Sequence, residues 1–266
     1  MSEMKKAVFR FYEELNDFLL DHRRKADFEA EFEGGRSVGE MIEALGVPHA
    51  EIDLILANGE PVDFGYILRD GDRVSVYPVF ESLNIEKVTR LRESPLRKIR
   101  FIATGSLEDV VGTMRMLGFD VEYDPSLSDG EVLQRSTRTK RIILTRRRDI
   151  LQAKEATRGI LLRPGEIEEQ IAGILDRLDL RGQARLFSRC PLCNSPLEPV
   201  SKEGLPQRIP PEIGNGRDQY ARCKSCGKIY AKGTRSAGTQ DLEERILGCG
   251  STGAGPLGNG GTEGAG

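Results

Sequence analysis

The chain has 266 residues, of which 38% are hydrophobic and 30% charged, and this length suits two small domains and a tail. No stretch approaches the roughly 20 apolar residues of a membrane-spanning helix, and the charged run MSEMKKAVFRFYEELNDFLLDHRR does not resemble a signal peptide. We therefore expect no membrane partner and no export.

The net charge of −3 conceals an asymmetry between two parts of the chain. Residues 1–81 carry 9 Lys/Arg against 18 Asp/Glu, whereas residues 82–246 carry 30 against 23. An acidic module joined to a basic one predicts that the basic part meets polyanions such as nucleic acid. The alternative is that both parts have ordinary solvated surfaces.

The first predicted module, residues 1–82, has the element order of a β-grasp, or ubiquitin-like, domain. KAVFRF alternates apolar and polar residues, which predicts a half-buried strand. Ser37 and Glu40 form a capping box at the start of a helix over SVGEMIEALG. The segments IDLILANGE and ILRDGDRVSVYPVF follow, with Asn58-Gly59 and Asp70-Gly71 as predicted hairpin turns.

This module also resembles the β-grasp sulfur carriers of thiamine and molybdopterin synthesis, especially in NG and LRDGDRVSVYP. Those carriers act through a free C-terminal Gly-Gly. Here the final strand continues into FESLNIEKV, and the sequence ends in Gly-Ala-Gly. We therefore expect an interaction or scaffold module, with an unidentified protein partner, and not a sulfur carrier.

The second predicted module, residues 97–186, alternates strands with helices. KIRFIA, FDVEY, RIILT and GILLR are the predicted strands, and the longest helices lie over LEDVVGTMRMLG and PGEIEEQIAGILDRL. Ser128 and Glu131 form a second capping box. This alternation predicts a parallel sheet, and such sheets bind ligands beyond the carboxyl ends of their strands. These ends are predicted at Thr104, at 124–129 and at 146–148.

Two CxxC pairs, CPLCN and CKSCG, lie within residues 187–236. Their cysteines are Cys190, Cys193, Cys223 and Cys226. Four thiolates from two tight turns are the ligand set of a structural zinc ribbon, although the 29 residues between the pairs require an insertion. A redox or disulfide role, or no special role, are the alternatives. Metal-type spacing without an export signal predicts a reducing cytoplasm.

The basic segment, residues 135–148, has the sequence RSTRTKRIILTRRR and contains seven Lys/Arg and no acid. Its cations are Arg135, Arg138, Lys140, Arg141, Arg146, Arg147 and Arg148. Such a segment predicts contacts with nucleic-acid phosphates without reading of bases, and a solvated surface is the alternative. The chain has no Trp, so base stacking has little support. Residues 247–266 predict a disordered Gly-rich tail.

Two long segments resemble a known family. FIATGSLEDVVGTMRMLGFDVEY, SDGEVL and RIILTRRRDIL, followed by RCPLCNSPLEPV, IPPEI and YARCKSCGKIYAKGT, look like the Mut-seven C-terminal RNase domain family. That family has a PIN-like nuclease fold carrying a zinc ribbon. RFYEELNDFL and GVPHAEIDLILANG are similar to the ubiquitin-like domain that often precedes it in bacterial proteins. The resemblance implies an α+β β-grasp domain followed by an α/β PIN-like parallel-sheet domain with a zinc ribbon.

The resemblance further implies a cluster of carboxylates that holds Mg²⁺ or Mn²⁺ and activates water for attack on a phosphodiester. The three acidic positions of the family correspond here to Thr104, Asp129 and Arg147. Two of the three carboxylates are therefore missing. Other carboxylates could rebuild the site, namely Asp124, Glu131 and Asp149. Asp149 lies two positions late, and we expect it to face elsewhere on the following helix.

The sequence thus predicts a cytoplasmic, RNA-directed protein of the ribonuclease family with a degenerate active site. Asp129 is its remaining catalytic candidate, zinc is its structural cofactor, and Mg²⁺ or Mn²⁺ is needed only if it is catalytic. The alternative is a non-catalytic RNA-binding or adaptor protein that uses the basic patch at the strand ends. The sequence leaves open whether the chain is an enzyme.

Overall fold

The computed structural model describes residues 4–78, 99–201, 220–231 and 246–247. The first part contains β1 (Met4–Phe11), β2 (Phe28–Glu33), α1 (Val38–Ala44), β3 (Ile52–Ala57), β4 (Glu60–Val62) and β5 (Arg73–Pro78). The second contains β6 (Phe101–Ala103), α2 (Glu108–Met116), β7 (Val121–Tyr123), α3 (Asp129–Thr139), β8 (Ile142–Thr145), α4 (Arg148–Gln152), β9 (Gly159–Leu161) and α5 (Ile167–Arg177). The third contains β10 (Leu197–Val200), β11 (Tyr220–Cys223) and β12 (Ile229–Ala231). None of these helices is long and apolar enough to cross a membrane. The predicted tail lies outside the described residues except for Leu247.

The first part is a β-grasp, as predicted. Its sheet has the order β2-β1-β5-β3-β4, with β1 and β5 parallel at the centre. Helix α1 begins at the predicted capping box, in which Ser37 Oγ accepts from the Glu40 amide and the Glu40 carboxylate accepts from the Ser37 amide. Asn58 and Gly59 adopt φ values of +53° and +85°, which suit the tight turn between β3 and β4.

The predicted hairpin at Asp70-Gly71 is wrong. Strand β5, which follows this turn, pairs with β1 and β3 and not with β4. The turn is instead fastened to β1, because the Lys6 amide donates to Asp70 Oδ1 at 2.8 Å and the Gly71 amide donates to the Lys6 carbonyl at 2.7 Å. It therefore leads the chain into a central strand, where long-range pairing decides the neighbours.

The second part is an α/β domain with a parallel sheet of order β7-β6-β8-β9. Apolar residues of β6 and β8 alternate between its two faces. Phe101 and Leu144 pack with α2 and α5 on one face, and Ile102 and Ile143 pack with α3 and α4 on the other. Both faces are therefore covered by helices, as the alternation of strands and helices predicted.

The β-grasp and the α/β domain are joined by a buried ion pair. The Glu51 side chain is fully buried and pairs with Arg177 of α5. Glu51 Oε1 also accepts from the Leu161 amide at 2.7 Å, and Arg177 Nε lies 2.5 Å from Glu14 Oε1. Because a buried carboxylate is costly unless it is paired and hydrogen-bonded, these contacts fix one arrangement of the two domains.

Candidate functional sites at the strand ends and the paired cysteines

The carboxyl ends of β6, β7 and β8 lie along one edge of the parallel sheet, as predicted. Thr104 follows β6, Asp124 follows β7, and Arg146 follows β8. Asp129 is placed at the same edge because α3 begins there, behind a capping box in which Ser128 Oγ accepts from the Glu131 amide. The fold thus brings Thr104, Asp129 and Arg147, the positions that the resemblance singled out, to one end of the sheet.

At this edge the guanidinium of Arg147 lies between two carboxylates. Its Nη1 is 2.8 Å from Asp129 Oδ2, its Nε is 3.2 Å from Asp149 Oδ1, and its Nη2 also pairs with Asp149. The expectation that Asp149 faces elsewhere is wrong. Helix α4 starts at Arg148, so Asp149 lies in its first turn and its side chain reaches back to Arg147.

Arg147, which the resemblance matches to an acidic position, thus places a cation between two carboxylates. The hydrogen bond from Arg147 is the main cause that holds the pKa of Asp149 below its usual range. In the same way, the contacts with Asp149 and Asp129 raise the pKa of Arg147. The Arg147 side chain is 54% exposed, so these are surface ion pairs that contribute little to stability.

Thr104 supplies no carboxylate and its hydroxyl is engaged. The residue is only 6% exposed, and its Oγ1 donates to Thr145 Oγ1 at 3.0 Å. Thr145 Oγ1 in turn accepts from the Arg147 amide at 3.0 Å. Two consecutive hydrogen bonds, from the Arg147 amide to the Thr145 hydroxyl and from the Thr104 hydroxyl to the same oxygen, therefore connect the ends of β6 and β8.

The other acidic neighbours stabilise local turns. Asp124 Oδ1 accepts from the Ser126 amide and hydroxyl at 2.9 and 2.6 Å, and these bonds lower the pKa of Asp124. Glu131 is held by the capping box with Ser128, which lowers its pKa. Of the three carboxylates that could rebuild the site, only Asp149 shares a partner with Asp129 among the contacts of the described residues.

The basic segment does not form one surface, because β8 runs through it. A four-residue strand spans roughly 13 Å, so the residues before β8 lie at the amino ends of the strands and the residues after it lie at their carboxyl ends, on opposite sides of the sheet. Arg141 precedes β8 and pairs with Asp120 at 2.8 Å and with Glu122 at 3.1 Å. Arg135 pairs with Glu122 at 3.0 Å, whereas Arg138 and Lys140 near this edge are exposed.

After β8, two more arginines are exposed at the strand ends and contact different neighbours. Arg146 Nη1 donates to the Ser106 carbonyl at 2.7 Å. The guanidinium of Arg148 lies 5.0 Å from the ring centre of Phe18 in the β-grasp domain. The acidic domain therefore borders the strand-end edge and shares one of its cations.

The four cysteines of the CxxC pairs converge, as their spacing predicted. The sulfurs of Cys190 and Cys226 are 3.7 Å apart, those of Cys193 and Cys223 are 3.3 Å apart, and all four lie within 4.8 Å of one another. All four are free thiols. Tetrahedral Zn²⁺ with Zn–S bonds of about 2.3 Å places its sulfurs about 3.8 Å apart. The cluster can therefore hold a metal such as zinc.

Hydrogen bonds and burial act differently on these thiols. The backbone amide of Ser195 is the main cause that lowers the pKa of Cys193 to about 6, whereas burial raises the pKa of Cys223 to about 11. The hydroxyl of Tyr230 lies 3.1 Å from Cys190 Sγ, and burial raises the pKa of Tyr230. Since metals bind thiolates, the lowered pKa of Cys193 favours a ligand role for its sulfur.

The first CxxC turn is docked on the α/β domain. Arg115 of α2 is 4% exposed and donates to the carbonyls of Pro191 and Leu192 at 3.1 and 2.8 Å. Asn194 accepts from the Val121 amide at 3.2 Å. Burial lowers the pKa of Arg115, although the nearby cysteine sulfurs oppose this shift.

Sequence reasoning missed three features of these sites. It assigned no role to Arg115 or to the buried Glu51 between the domains, and it did not predict that Asp149 and Asp129 share Arg147 as a partner. Each depends on residues distant along the chain or on the start of a helix. A local signal exists only for Arg115, a lone cation among the apolar residues of LEDVVGTMRMLG, which is a pattern typical of a buried and partnered charge.

The sequence profile of the Mut7-C RNAse domain matches residues 99–242, and that of the Mut7-C ubiquitin domain matches residues 4–84. A search of curated proteins finds no match. A crystal structure of H. volcanii small archaeal modifier protein 1 is 19% identical, covers 28% of this chain and 97% of that chain, and has a TM-score of 0.23. A crystal structure of SAMP1 from Haloferax volcanii is 18% identical, covers 29% and 99%, and has a TM-score of 0.24. The first profile spans more than half of the chain, and the resemblance deduced from its motifs is confirmed: the chain belongs to the Mut7-C RNAse domain family.

Proposed function

We propose that this chain is an RNA-directed member of the ribonuclease family whose metal-dependent nuclease site is degenerate. The observation that carries the proposal is the guanidinium of Arg147 between Asp129 and Asp149. A divalent ion at a nuclease site takes several oxygen ligands. Here the two converging carboxylates already have a cationic partner, and the Thr104 hydroxyl is buried and bonded to Thr145.

Electrostatics sets the size of the obstacle. Two unit charges 4 Å apart interact by about 4 kcal/mol at an effective dielectric constant of 20. A divalent ion beside Arg147 would therefore be repelled by the guanidinium, although solvent screens this exposed charge, unless the arginine turned away into solvent. Turning away is feasible for an exposed side chain, but it would still leave the ion without the carboxylate that Thr104 replaces.

Catalysis is tested by incubating RNA with the unmodified protein and Mg²⁺ or Mn²⁺. We expect cleavage to be absent or very weak, and to appear in part only when Thr104→Asp and Arg147→Asp are combined, because ligands that act as a unit are not additive. Thr104→Asp with Arg146→Asp is the matched control, since Arg146 lies at the same edge but makes no contact with Asp129 in the described structure. Robust cleavage by the unmodified chain, abolished by Asp129→Asn, would overturn the proposal.

The second candidate, a non-catalytic RNA-binding or adaptor protein, is favoured by the exposed cations. Arg146 and Arg148 lie at the strand-end edge, and Arg138 and Lys140 lie near the opposite one. Arginine and lysine side chains bind phosphates largely without regard to sequence. Arg135 and Arg141 have carboxylate partners, so we expect them to contribute less.

Two double variants identify which patch binds RNA. Arg146→Gln with Arg148→Gln removes two charges at the strand ends, and Arg138→Gln with Lys140→Gln removes two at the opposite edge. We expect the first pair to weaken binding uniformly across RNA sequences. The slope of the logarithm of the binding constant against the logarithm of the salt concentration should become shallower by about 0.7 for each lost phosphate contact. The second pair is the control of equal charge. If neither pair changes the slope, the basic segment is only a solvated surface.

Two further parts of the proposal concern the surroundings of the protein. The β-grasp domain resembles an interaction module, and we propose that it binds a protein partner. The four free cysteines suit a reducing compartment, which supports a cytoplasmic location. Capture of partners with the full chain and microscopy of a tagged chain test these two points separately.

A further inference from the structure

Arg115 is a buried cation that the proposed nuclease or RNA-binding role does not use. It lies in α2 with 4% exposure, among apolar residues of the α/β core. Its Nε donates to the Val121 carbonyl of β7 at 2.9 Å. Its Nη1 donates to two carbonyls of another part of the chain, those of Pro191 at 3.1 Å and Leu192 at 2.8 Å.

These two carbonyls belong to the residues between Cys190 and Cys193. The guanidinium therefore holds the turn that presents half of the sulfur ligands. Beside it, the Val121 amide donates to Asn194 Oδ1 at 3.2 Å, and Asn194 Nδ2 donates to Asp120 Oδ1 at 2.8 Å. Strand β7 and helix α2 thus fasten the first CxxC turn at both of its sides.

The second CxxC turn is fastened differently. The Cys223 amide donates to the Lys228 carbonyl at 2.9 Å, and the Gly227 amide donates to the Cys223 carbonyl at 3.0 Å. These bonds lie within the ribbon. In the part of the chain that the structure describes, the hydrogen bonds from the α/β domain to a CxxC turn go to the first turn.

We propose that Arg115 is a positioning residue that couples metal binding at the four cysteines to the stability of the α/β domain. A divalent ion with four thiolates has a net charge of −2, and the bound turn would be stabilised by the guanidinium that holds its carbonyls. Metal binding requires the two CxxC turns to converge. The first of these turns is fixed to α2 and β7, so a metal that joins the two turns also acts on these elements. Thermodynamic linkage makes this coupling reciprocal. If the contacts of Arg115 raise the affinity for the metal, bound metal stabilises the packing of α2 and β7 by the same free energy.

The inference rests on the metal site and is independent of RNA binding and catalysis. The test uses the full chain with Zn²⁺, with affinity measured by competition with a chromogenic chelator. Amide hydrogen exchange in α2 and β7, with and without Zn²⁺, reports the coupling. In the unmodified chain we expect Zn²⁺ removal to reduce protection of the Val121 amide and of α2, although these residues are not ligands. Unchanged protection there would overturn the proposal.

Arg115→Gln should lower Zn²⁺ affinity by roughly 10–100-fold, the usual effect of removing an outer-shell partner. It should also reduce the extra protection that Zn²⁺ gives to α2 and β7. Tyr230→Phe is the matched control, because Tyr230 contacts Cys190 Sγ from within the ribbon. At saturating Zn²⁺ this control should retain the full protection of α2 and β7.

A purely structural role of Arg115 predicts a different result. Arg115→Gln would then reduce protection equally with and without Zn²⁺ and leave the affinity unchanged, which would overturn the proposal. Should Arg115→Gln fail to fold, Asn194→Ala removes the neighbouring link without touching the buried cation and has the same expected signs. Absence of Zn²⁺ binding by the unmodified chain would overturn both this inference and the metal assignment.

Discussion

The chain contains two places where ligands for a metal converge, the strand ends of the α/β domain and the two CxxC turns. At the CxxC turns, four sulfurs lie within 4.8 Å of one another. At the strand ends, Asp129 and Asp149 converge on the guanidinium of Arg147, and the buried Thr104 follows β6 at the same end of the sheet. The four cysteines could supply all the ligands of a metal ion, whereas the carboxylates at the strand ends are paired with the guanidinium of Arg147.

The difference follows from what each region needs in order to fold. The parallel sheet is held by apolar packing on both faces, such as that of Phe101 and Ile143, and none of it depends on the strand-end carboxylates. In its described residues the ribbon contributes short strands and few buried side chains, so we expect a metal at the four cysteines to supply much of its stability. We therefore expect loss of a strand-end carboxylate to leave the fold intact, whereas loss of a cysteine should loosen the ribbon.

The largest expected effect comes from breaking the complete ligand set. Cys193→Ser should lower bound zinc and loosen the ribbon, while the β-grasp and the parallel sheet remain folded. Metal binding in isolated zinc-finger peptides contributes about 10–16 kcal/mol of apparent folding free energy, which sets the upper scale. Zinc content and hydrogen exchange of β10–β12 measure the loss. Full zinc occupancy in Cys193→Ser would contradict the assignment.

The next effect concerns the contact that holds the β-grasp beside the strand ends. Glu51→Ala would leave Arg177 without its fully buried partner and the Leu161 amide without an acceptor. Removing one partner of a buried ion pair costs about 3–5 kcal/mol. We expect a lower urea midpoint, and Glu60→Ala, which removes an exposed carboxylate of the same domain, is the control. Equal midpoints for the two variants would show that the Glu51 pair does not hold the domains together.

A smaller and pH-dependent effect is expected at Asp120, where the α/β domain meets the first CxxC turn. Burial alone would raise the pKa of Asp120, but hydrogen bonds from Arg141 and Asn194 outweigh burial and hold this pKa below its usual value. A depressed carboxyl pKa stabilises the fold above the unfolded pKa of about 3.9, and that stability is lost as the pH falls through the folded pKa. Asp120→Asn should therefore destabilise by about 1 kcal/mol near pH 7.

The difference between Asp120→Asn and the unmodified chain should shrink as the pH falls below about 4. Urea unfolding over pH 3–7, with bound zinc measured at each pH, checks this trend. Glu60→Gln, which removes one charge far from this junction, should show no such convergence. If the difference in unfolding free energy between Asp120→Asn and the unmodified chain grew on acidification, the pKa of Asp120 would not be depressed in the folded state.

Much of this architecture could be predicted from local signals. The capping boxes at Ser37 and Ser128 marked helix starts, and the apolar runs of β6 and β8 marked buried parallel strands. The cysteine spacing predicted two CxxC turns of local geometry, and the need of a zinc site for four thiolates predicted that these turns converge. These features depend on a few neighbouring residues, which the sequence contains directly.

The rest depends on packing over long distances. The split of the basic segment follows from β8 crossing the sheet, and the ion pair of Glu51 with Arg177 joins residues 126 positions apart. Asp149 converges with Asp129 because α4 starts at Arg148 and turns its first residues back toward α3. A count of positions along the chain could not reveal this, since the start of α4 is set by tertiary contacts.

The smallest expected effect on stability is also the most informative about the strand ends. Arg147→Gln removes exposed ion pairs, so we expect almost no change in the free energy of unfolding. It leaves Asp129 and Asp149 without the cation that they share, and two nearby carboxylates repel unless a positive charge joins them. Arg147→Gln should therefore bind Mn²⁺ more tightly than the unmodified chain, as measured by electron paramagnetic resonance titration. Arg146→Gln removes the same charge without freeing these carboxylates, so equal Mn²⁺ affinity in the two variants would show that Arg147 does not block the site.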